Sequence, residues 1–218
     1  MRLGILGGTF NPVHLGHLRV AEEIGEQLAL KTVYLIPSGI PPHKSPGNIA
    51  DFSHRMEMVR KASAISPLLD VWDIEGKKSG PSYSIETLQG FHYRFGPTLE
   101  LFFIIGTDAF LEVKTWKEYS NLFKYTSFVV INRKNREKDK FTVFVNSLNV
   151  DLRWSPERRC FEHPSGNTLV HINTTLMDIS ASRIRKMIAR GLSIRFLVPE
   201  VVREYIEKEG LYLTNGSI

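Results

Sequence analysis

The chain has a single cysteine, Cys160, among 218 residues, which excludes an internal disulfide and any thiolate cluster for structural zinc. A reducing compartment suits such a chain. Long apolar stretches are missing too: the longest run, Leu101 to Ile105, is far short of the roughly 20 residues that cross a bilayer. The opening residues, Met1 to Leu6, meet Gly7-Gly8 before the apolar core of a signal peptide could form. The expectation is a cytoplasmic protein without membrane contact. Charge of one sign is scarce, with a net of only +5, and the surplus gathers in Arg133 to Lys140 and Arg153 to Arg159 rather than on a recognisable nucleic-acid module. These clusters read as solvated loops, and no nucleic-acid partner is expected. What is present is an ordinary globular composition, 42% hydrophobic and 23% charged, in a length suited to one domain.

Hydrophobic periodicity predicts alternating strands and helices. Strands are expected at Arg2 to Leu6, Thr32 to Ile36, Leu69 to Ile74, Leu99 to Ile105 and Phe128 to Ile131. Between them, helices are expected over His17 to Leu28, from a Ser53 cap through Met56, Val59 and Ile65, and from Ser84 with Ile85, Leu88 and Tyr93 facing inward. Two more close the chain: one after Ser180 with Ile184, Met187 and Ile188 inside and Gly191 beyond it, and one from Pro199 to Gly210. Pro41 to Asn48 is too rich in proline and glycine for regular structure and reads as a loop that could cover a site. Residues 133 to 169 read as loops, one helix and an edge strand. The fold class that follows is α/β, a Rossmann-like doubly wound, mainly parallel sheet with helices on both faces and a C-terminal helical segment. Ligands bind such sheets at the carboxyl ends of the strands, where the glycine-rich stops would gather.

The stretch from Gly7 to His17, Gly-Gly-Thr-Phe-Asn-Pro-Val-His-Leu-Gly-His, carries the most chemistry. Glycines after a strand let the backbone approach an anion, Thr9 adds a hydroxyl, and a helix N-terminus adds partial positive charge. The spacing fits neither the P-loop nor the dinucleotide fingerprint. His14 and His17, three apart at a helix start, can face one bound group and donate to phosphate oxygens. They could also be metal ligands or ordinary helix-start residues. Zinc would need a third ligand, and His43, His54, His92, His163 and His171 have no ligand spacing, so no metal site is assigned. Ser180-Ala181-Ser182-Arg183-Ile184-Arg185 offers a second anion seat, although a capped amphipathic helix with solvated arginines has the same pattern.

Together the two stretches resemble the nucleotidyltransferase superfamily with an H-x-G-H motif near the N-terminus, here His14-Leu15-Gly16-His17, and an I-S-x-x-x-I-R motif near the C-terminus, here Ile179 to Arg185. Nearly the whole chain resembles the bacterial nicotinate-nucleotide adenylyltransferases within it. Four further segments carry that resemblance: Ile36 to Lys44, Tyr83 to Leu88, Phe103 to Asp108, and Thr115-Trp116. The resemblance implies one nucleotidyltransferase domain over residues 1–218. It also implies that Gly7, Gly8, Thr9 and Phe10 line the nucleotide cleft, that His14, His17, Lys44, Ser180 and Arg185 hold the ATP phosphates, and that Ile179 and Arg183 belong to the ATP site. Gly106 and Asp108 would contact ribose. For nicotinate mononucleotide it implies ring stacking on Trp116, amides near Thr87 and Lys117 for the carboxylate, and a contact from Arg133. Read from the residues alone, Trp116 fits a core aromatic and Asp108 a helix cap equally well. Two positions depart from the family pattern. Asn11 stands where many relatives have aspartate, and Val130-Ile131-Asn132-Arg133 replaces an Arg-Pro-Gly-type turn.

The expected partners are ATP and nicotinate mononucleotide, with Mg²⁺ arriving on ATP and held by phosphates and water. The mononucleotide phosphate would displace pyrophosphate from the α-phosphorus, a reaction needing fixed positive charge and positioning rather than a protein nucleophile. Competing readings are a phosphopantetheine-type adenylyltransferase or cytidylyltransferase, and a nucleotide-binding sensor without transfer activity. Whether the chain forms a homo-oligomer is left open.

Overall fold

A computed structural model describes residues 1–39, 49–76, 80–132 and 138–213. Its sheet begins with β1 (Arg2–Gly8), β2 (Thr32–Pro37), β3 (Leu69–Val71), β4 (Glu100–Gly106) and β5 (Ser127–Asn132), and continues with β6 (Arg153–Ser155), β7 (Cys160–Glu162) and β8 (Thr168–Asn173). Their spatial order is β3-β2-β1-β4-β5-β8-β7-β6. The first six in that order are parallel, and β7 and β6 add an antiparallel margin. This is the expected α/β, doubly wound architecture. Because β2 and β4 flank β1, the chain reverses its direction of winding between β1 and β4, which makes the carboxyl ends of these two strands the switch point.

Strand residues alternate between two cores, as a sheet covered on both faces requires. On β4, Leu101, Phe103 and Ile105 enter one cluster and Phe102 and Ile104 the other. The first cluster is covered by α3 (Ser84–Phe95), α4 (Thr107–Phe110), α5 (Tyr119–Tyr125) and α6 (Lys138–Asn146) through Leu88, Phe91, Phe110, Phe123 and Phe141. The second is covered by α1 (Leu15–Gln27), α2 (Phe52–Ser63), α7 (Ala181–Ile188) and α8 (Glu200–Lys208) through Ile24, Met58, Ile184 and Val202.

Several expectations need correction. Tyr93 is 95% exposed, so Phe91 rather than Tyr93 completes the inner face of α3. The strand from Leu69 stops at Val71 because Asp73 to Gly76 forms a turn, with the Gly76 amide donating to the Asp73 carbonyl. Ile74 leaves the sheet and packs on α3, where a Cβ at Gly90 would lie 2.4 Å from its Cδ1. Position 90 therefore tolerates only glycine without displacing Ile74. Asp51, not Ser53, occupies the N-cap of α2. Within 133–169 the expected helix is α6 and the expected edge strand is β6, while β7 and the start of β8, an interior parallel strand, come in addition. The Pro41 to Asn48 loop lies outside the described residues.

Candidate functional site

At the switch point a cleft of about 350 Å³ opens between the start of α1, the end of β4 and the segment joining β8 to α7. His14, Gly16, His17, Thr107, Asp108, Ile179 and Ser180 line it, with Thr174 to Asp178 forming a wall. Residues separated by more than 160 positions in sequence thus meet at one sheet edge.

The first motif builds its own geometry. Phe10, at φ +46°, turns the chain out of β1 and buries its ring in the second core. That ring meets His17 edge-on at 5.0 Å, so Phe10 supports the cleft from behind rather than lining it. His14 is the N-cap of α1, and its imidazole stacks on that of His17 at 3.6 Å between centroids. The backbone N–H of His14 donates to Nδ1 of His17 at 3.2 Å. With Nδ1 committed as acceptor, the ring proton of neutral His17 sits on Nε2, making the opposite ring edge the donor. A Cβ at position 16 would lie 3.2 Å from the His14 ring, so glycine there leaves room for the histidine pair.

From the opposite side come α4 and α7. Gly106 caps α4, Thr107 anchors it by donating its buried hydroxyl to the Ile131 carbonyl at 3.0 Å, and Asp108 follows in the first turn. Ser180 caps α7 by position, which aims the first amides of that helix at the cleft. The wall is tied down by Glu23, whose carboxylate oxygens accept the Thr175 amide at 2.9 and 3.2 Å. Arg183 lines a smaller adjoining pocket of about 270 Å³ that shares Ile179 and Ser180 with the cleft. Arg185 stands behind the rim, its Nη1 donating to the Asn11 carbonyl at 2.8 Å.

The residues expected to receive the mononucleotide base gather on the other face of the sheet. Trp116 is half-buried against the first core, with its ring 6.0 Å from Phe103. Phe103 in turn would lie 3.8 Å from a Cβ at Gly7, which places this site beside the carboxyl end of β1. Lys117 reaches the start of α3, with Nζ 3.0 Å from Glu86 and 4.5 Å from the centroid of the Tyr83 ring. The hydrogen bond to Glu86 raises its pKa above the ordinary lysine value. Thr87 is buried; its hydroxyl donates to Glu75 at 2.9 Å and its amide donates to the Tyr83 carbonyl at 3.3 Å. The expected amides near Thr87 are therefore those of Ser84 and Ile85, first-turn groups with no acceptor inside the helix. Lys44 and Arg133 lie outside the described residues.

Sequence reasoning missed Arg55. It is 2% exposed and donates to four backbone carbonyls, those of Ala50 (3.0 Å), Thr9 (2.9 Å), Ser38 (2.7 Å) and Gly39 (2.9 Å). Burial holds its pKa below the ordinary arginine value, against the pull of Tyr212, Asp51 and Glu75. One guanidinium thereby joins the loop after β1 to Ser38-Gly39 and to Ala50, which border the segment carrying Lys44. Helical spacing with Met56 and Val59 concealed it, since a charged residue on such a helix ordinarily faces water.

Among the described residues no three His, Cys, Asp or Glu side chains gather as a metal centre. The hydroxyls and amides of the cleft suit phosphate oxygens, so a divalent cation would be held through phosphates and water.

The chain matches the cytidylyltransferase-like family over residues 5–187. It is 43% identical over 213 residues to a protein of Geotalea daltonii named as a probable nicotinate-nucleotide adenylyltransferase, covering 97% of this chain and 98% of that one. A protein of the same name from Desulfatibacillum aliphaticivorans is 43% identical over 219 residues, covering 98% of this chain and all of its relative. In fold, the chain resembles the Plasmodium falciparum nicotinic acid mononucleotide adenylyltransferase complexed with NaAD, at a TM-score of 0.74 and 19% identity over 97% of each chain. With the paired histidines, the capped α7 and the β1–β4 switch point in one cleft, these likenesses agree with one another: the chain belongs to the cytidylyltransferase-like nucleotidyltransferases and, within them, to the nicotinate-nucleotide adenylyltransferase family.

Proposed function

We propose that the chain transfers the adenylyl group of ATP to nicotinate mononucleotide, forming deamido-NAD and pyrophosphate in NAD biosynthesis. The observation that carries this reading is the convergence of stacked His14 and His17, Thr107-Asp108 at the start of α4 and the N-terminus of α7 on one cleft. A phosphate oxygen of the mononucleotide attacks the α-phosphorus of ATP in line, the bond to the bridging oxygen breaks, and pyrophosphate leaves. Both reactants are anionic, so the protein contributes alignment and fixed positive charge. His14 and His17 donate to the phosphates. Arg185 adds a guanidinium whose Nη1 donates to the Asn11 carbonyl and whose Nη2 lies 3.5 Å from the exposed Ser182 hydroxyl, a contact that a phosphate oxygen would replace, and Arg183 with Ser180 serves the far end of the triphosphate. Gly7, Gly8 and Thr9 line the approach, and Gly106 and Asp108 hold the ribose. A divalent ion carried by ATP, Mg²⁺ in this reading, supplies further charge screening when bound.

The acceptor site follows the same physical logic. Trp116 stacks on the pyridine ring, and amides at the start of α3 and near Lys117 receive the carboxylate. The carboxylate accepts from them, whereas the NH₂ of nicotinamide would face them donor to donor. Trp116→Ala should raise the Michaelis constant for nicotinate and nicotinamide mononucleotides alike by about 5- to 150-fold, since stacking of a base on an aromatic is worth roughly 1–3 kcal/mol. Steady-state kinetics with both acceptors check this. A variant with an unchanged Michaelis constant for nicotinate mononucleotide would remove Trp116 from the site.

Lys44 is assigned to the ATP phosphates as a point charge. Lys44→Ala should raise the Michaelis constant for ATP without changing the preference between acceptors. Unchanged ATP dependence would reduce the segment to a surface connection.

A further inference from the structure

Asn11 has one neighbour that neither motif accounts for. After α8 the chain passes Gly210, at φ +60°, and brings Tyr212 back to the loop between β1 and α1. The Tyr212 hydroxyl donates to Oδ1 of Asn11 at 2.8 Å, across 201 positions of sequence. The same oxygen accepts the Ala50 amide at 3.1 Å, so both of its lone pairs are used. The Asn11 carbonyl is the acceptor that holds Arg185. Asn11 thus links the C-terminal segment, the Ala50 border of the Lys44 segment and the arginine of the I-S-x-x-x-I-R motif.

The amide side chain at position 11 has a structural meaning. An amide oxygen accepts from Tyr212 and Ala50 and adds no carboxylate to compete with an incoming anion for the nearby guanidinium. Tyr212 has φ +65°, a conformation that side-chain-bearing residues rarely adopt and that costs of order 1 kcal/mol or more. Its ring already packs against the second core, so the hydroxyl is not needed to dock the chain end. Burial raises its pKa, against the opposing pull of Arg185 and Arg55, so the hydroxyl stays protonated and remains a donor.

We propose that Tyr212 is a positioning residue of the adenylyl-transfer site: through Asn11 it fixes the carbonyl that orients Arg185 toward the ATP phosphates. The proposal rests on the reading of Arg185 as a phosphate-binding residue. It is tested with Tyr212→Phe, Arg185→Ala and the double variant of the full chain, by steady-state kinetics with each substrate varied separately and by thermal unfolding. Tyr212→Phe keeps the ring and should lower kcat/KM for ATP about tenfold, the scale of one hydrogen bond. The Michaelis constant for nicotinate mononucleotide should stay within about twofold, and the melting temperature should fall by about 2–4 °C. In the Arg185→Ala background the same substitution should cost less than about twofold, because the group it positions is gone. If Tyr212→Phe fails to fold, Asn11→Leu removes the same hydrogen bond from the other side, together with that from the Ala50 amide, and its loss in kcat/KM for ATP should again shrink in the Arg185→Ala background.

Wild-type kcat/KM for ATP in the hydrogen-bond variant, or an equal loss with and without Arg185, overturns the proposal and leaves the phosphate role of Arg185 standing. Wild-type ATP kinetics in Arg185→Ala overturns that role itself, and the proposal with it.

Discussion

His17→Ala lowers turnover about 10²- to 10³-fold while the fold survives, because it removes a preorganised donor aimed at charge that develops on the phosphate in the transition state. The geometry also predicts a second, smaller effect. Nδ1 of His17 accepts the backbone N–H of His14, so alanine also removes a helix-start hydrogen bond worth about 1 kcal/mol, equivalent to about 2–4 °C in melting temperature. His17→Asn separates the two contributions. Its amide oxygen can stand near the place of Nδ1 and keep the helix start, while the donor at Nε2 is lost. The asparagine variant should therefore melt close to the wild type and turn over as slowly as the alanine variant. Single-turnover rates and calorimetry on the two proteins give both readings, and wild-type turnover in either would remove His17 from the chemistry.

The largest stability effect is expected at a residue that touches no substrate. Arg55→Met leaves the carbonyls of Thr9, Ser38, Gly39 and Ala50 buried without their donors. Each unmet buried acceptor costs about 1–3 kcal/mol, and because the four share one side chain and can partly relax together, the total is set at about 3–5 kcal/mol. For a chain of this length that lowers the melting temperature by about 6–20 °C. Arg55→Lys should recover only part of the loss, since an ammonium has three donors and no planar fork to span four carbonyls. The kinetic signature should be a higher Michaelis constant for ATP, because the loop after β1 and both borders of the Lys44 segment loosen together. A methionine variant that melts with the wild type would show that water replaces the guanidinium at no cost.

The fold was legible where the physics is local. Parallel strands buried on both faces must be nearly continuous apolar runs, and Leu101 to Ile105 and Phe128 to Ile131 are such runs, so β4 and β5 stood out. Helices with caps and one apolar stripe, such as α7 around Ile184, stood out for the same reason. β8 did not, because His171 and the polar ends Thr168 and Asn173 interrupt its pattern, and the three-residue β6 and β7 are too short to show a period. The cleft was legible at His14, Gly16, His17, Asp108, Ile179 and Ser180, whose motifs are contiguous in sequence. Arg55, Glu23 and Tyr212 were not: each acts through a backbone group or side chain brought near only by folding, and nothing in their own neighbourhoods marks them. Thr87 was placed correctly at the start of α3, but the burial that commits its hydroxyl to Glu75 depends on tertiary packing.

The most direct test of adenylyl transfer to nicotinate mononucleotide is pyrophosphate release from ATP and Mg²⁺, with nicotinate mononucleotide, nicotinamide mononucleotide or phosphopantetheine as acceptor, expressed as a ratio of specificity constants. The arrangement of Trp116 beside the amides of α3 predicts release with nicotinate mononucleotide at least about fivefold more efficient than with its amide, since one donor-to-donor mismatch costs roughly 1–3 kcal/mol, and no release with phosphopantetheine. Equal use of the two mononucleotides, preference for the amide, or release only with phosphopantetheine would contradict it.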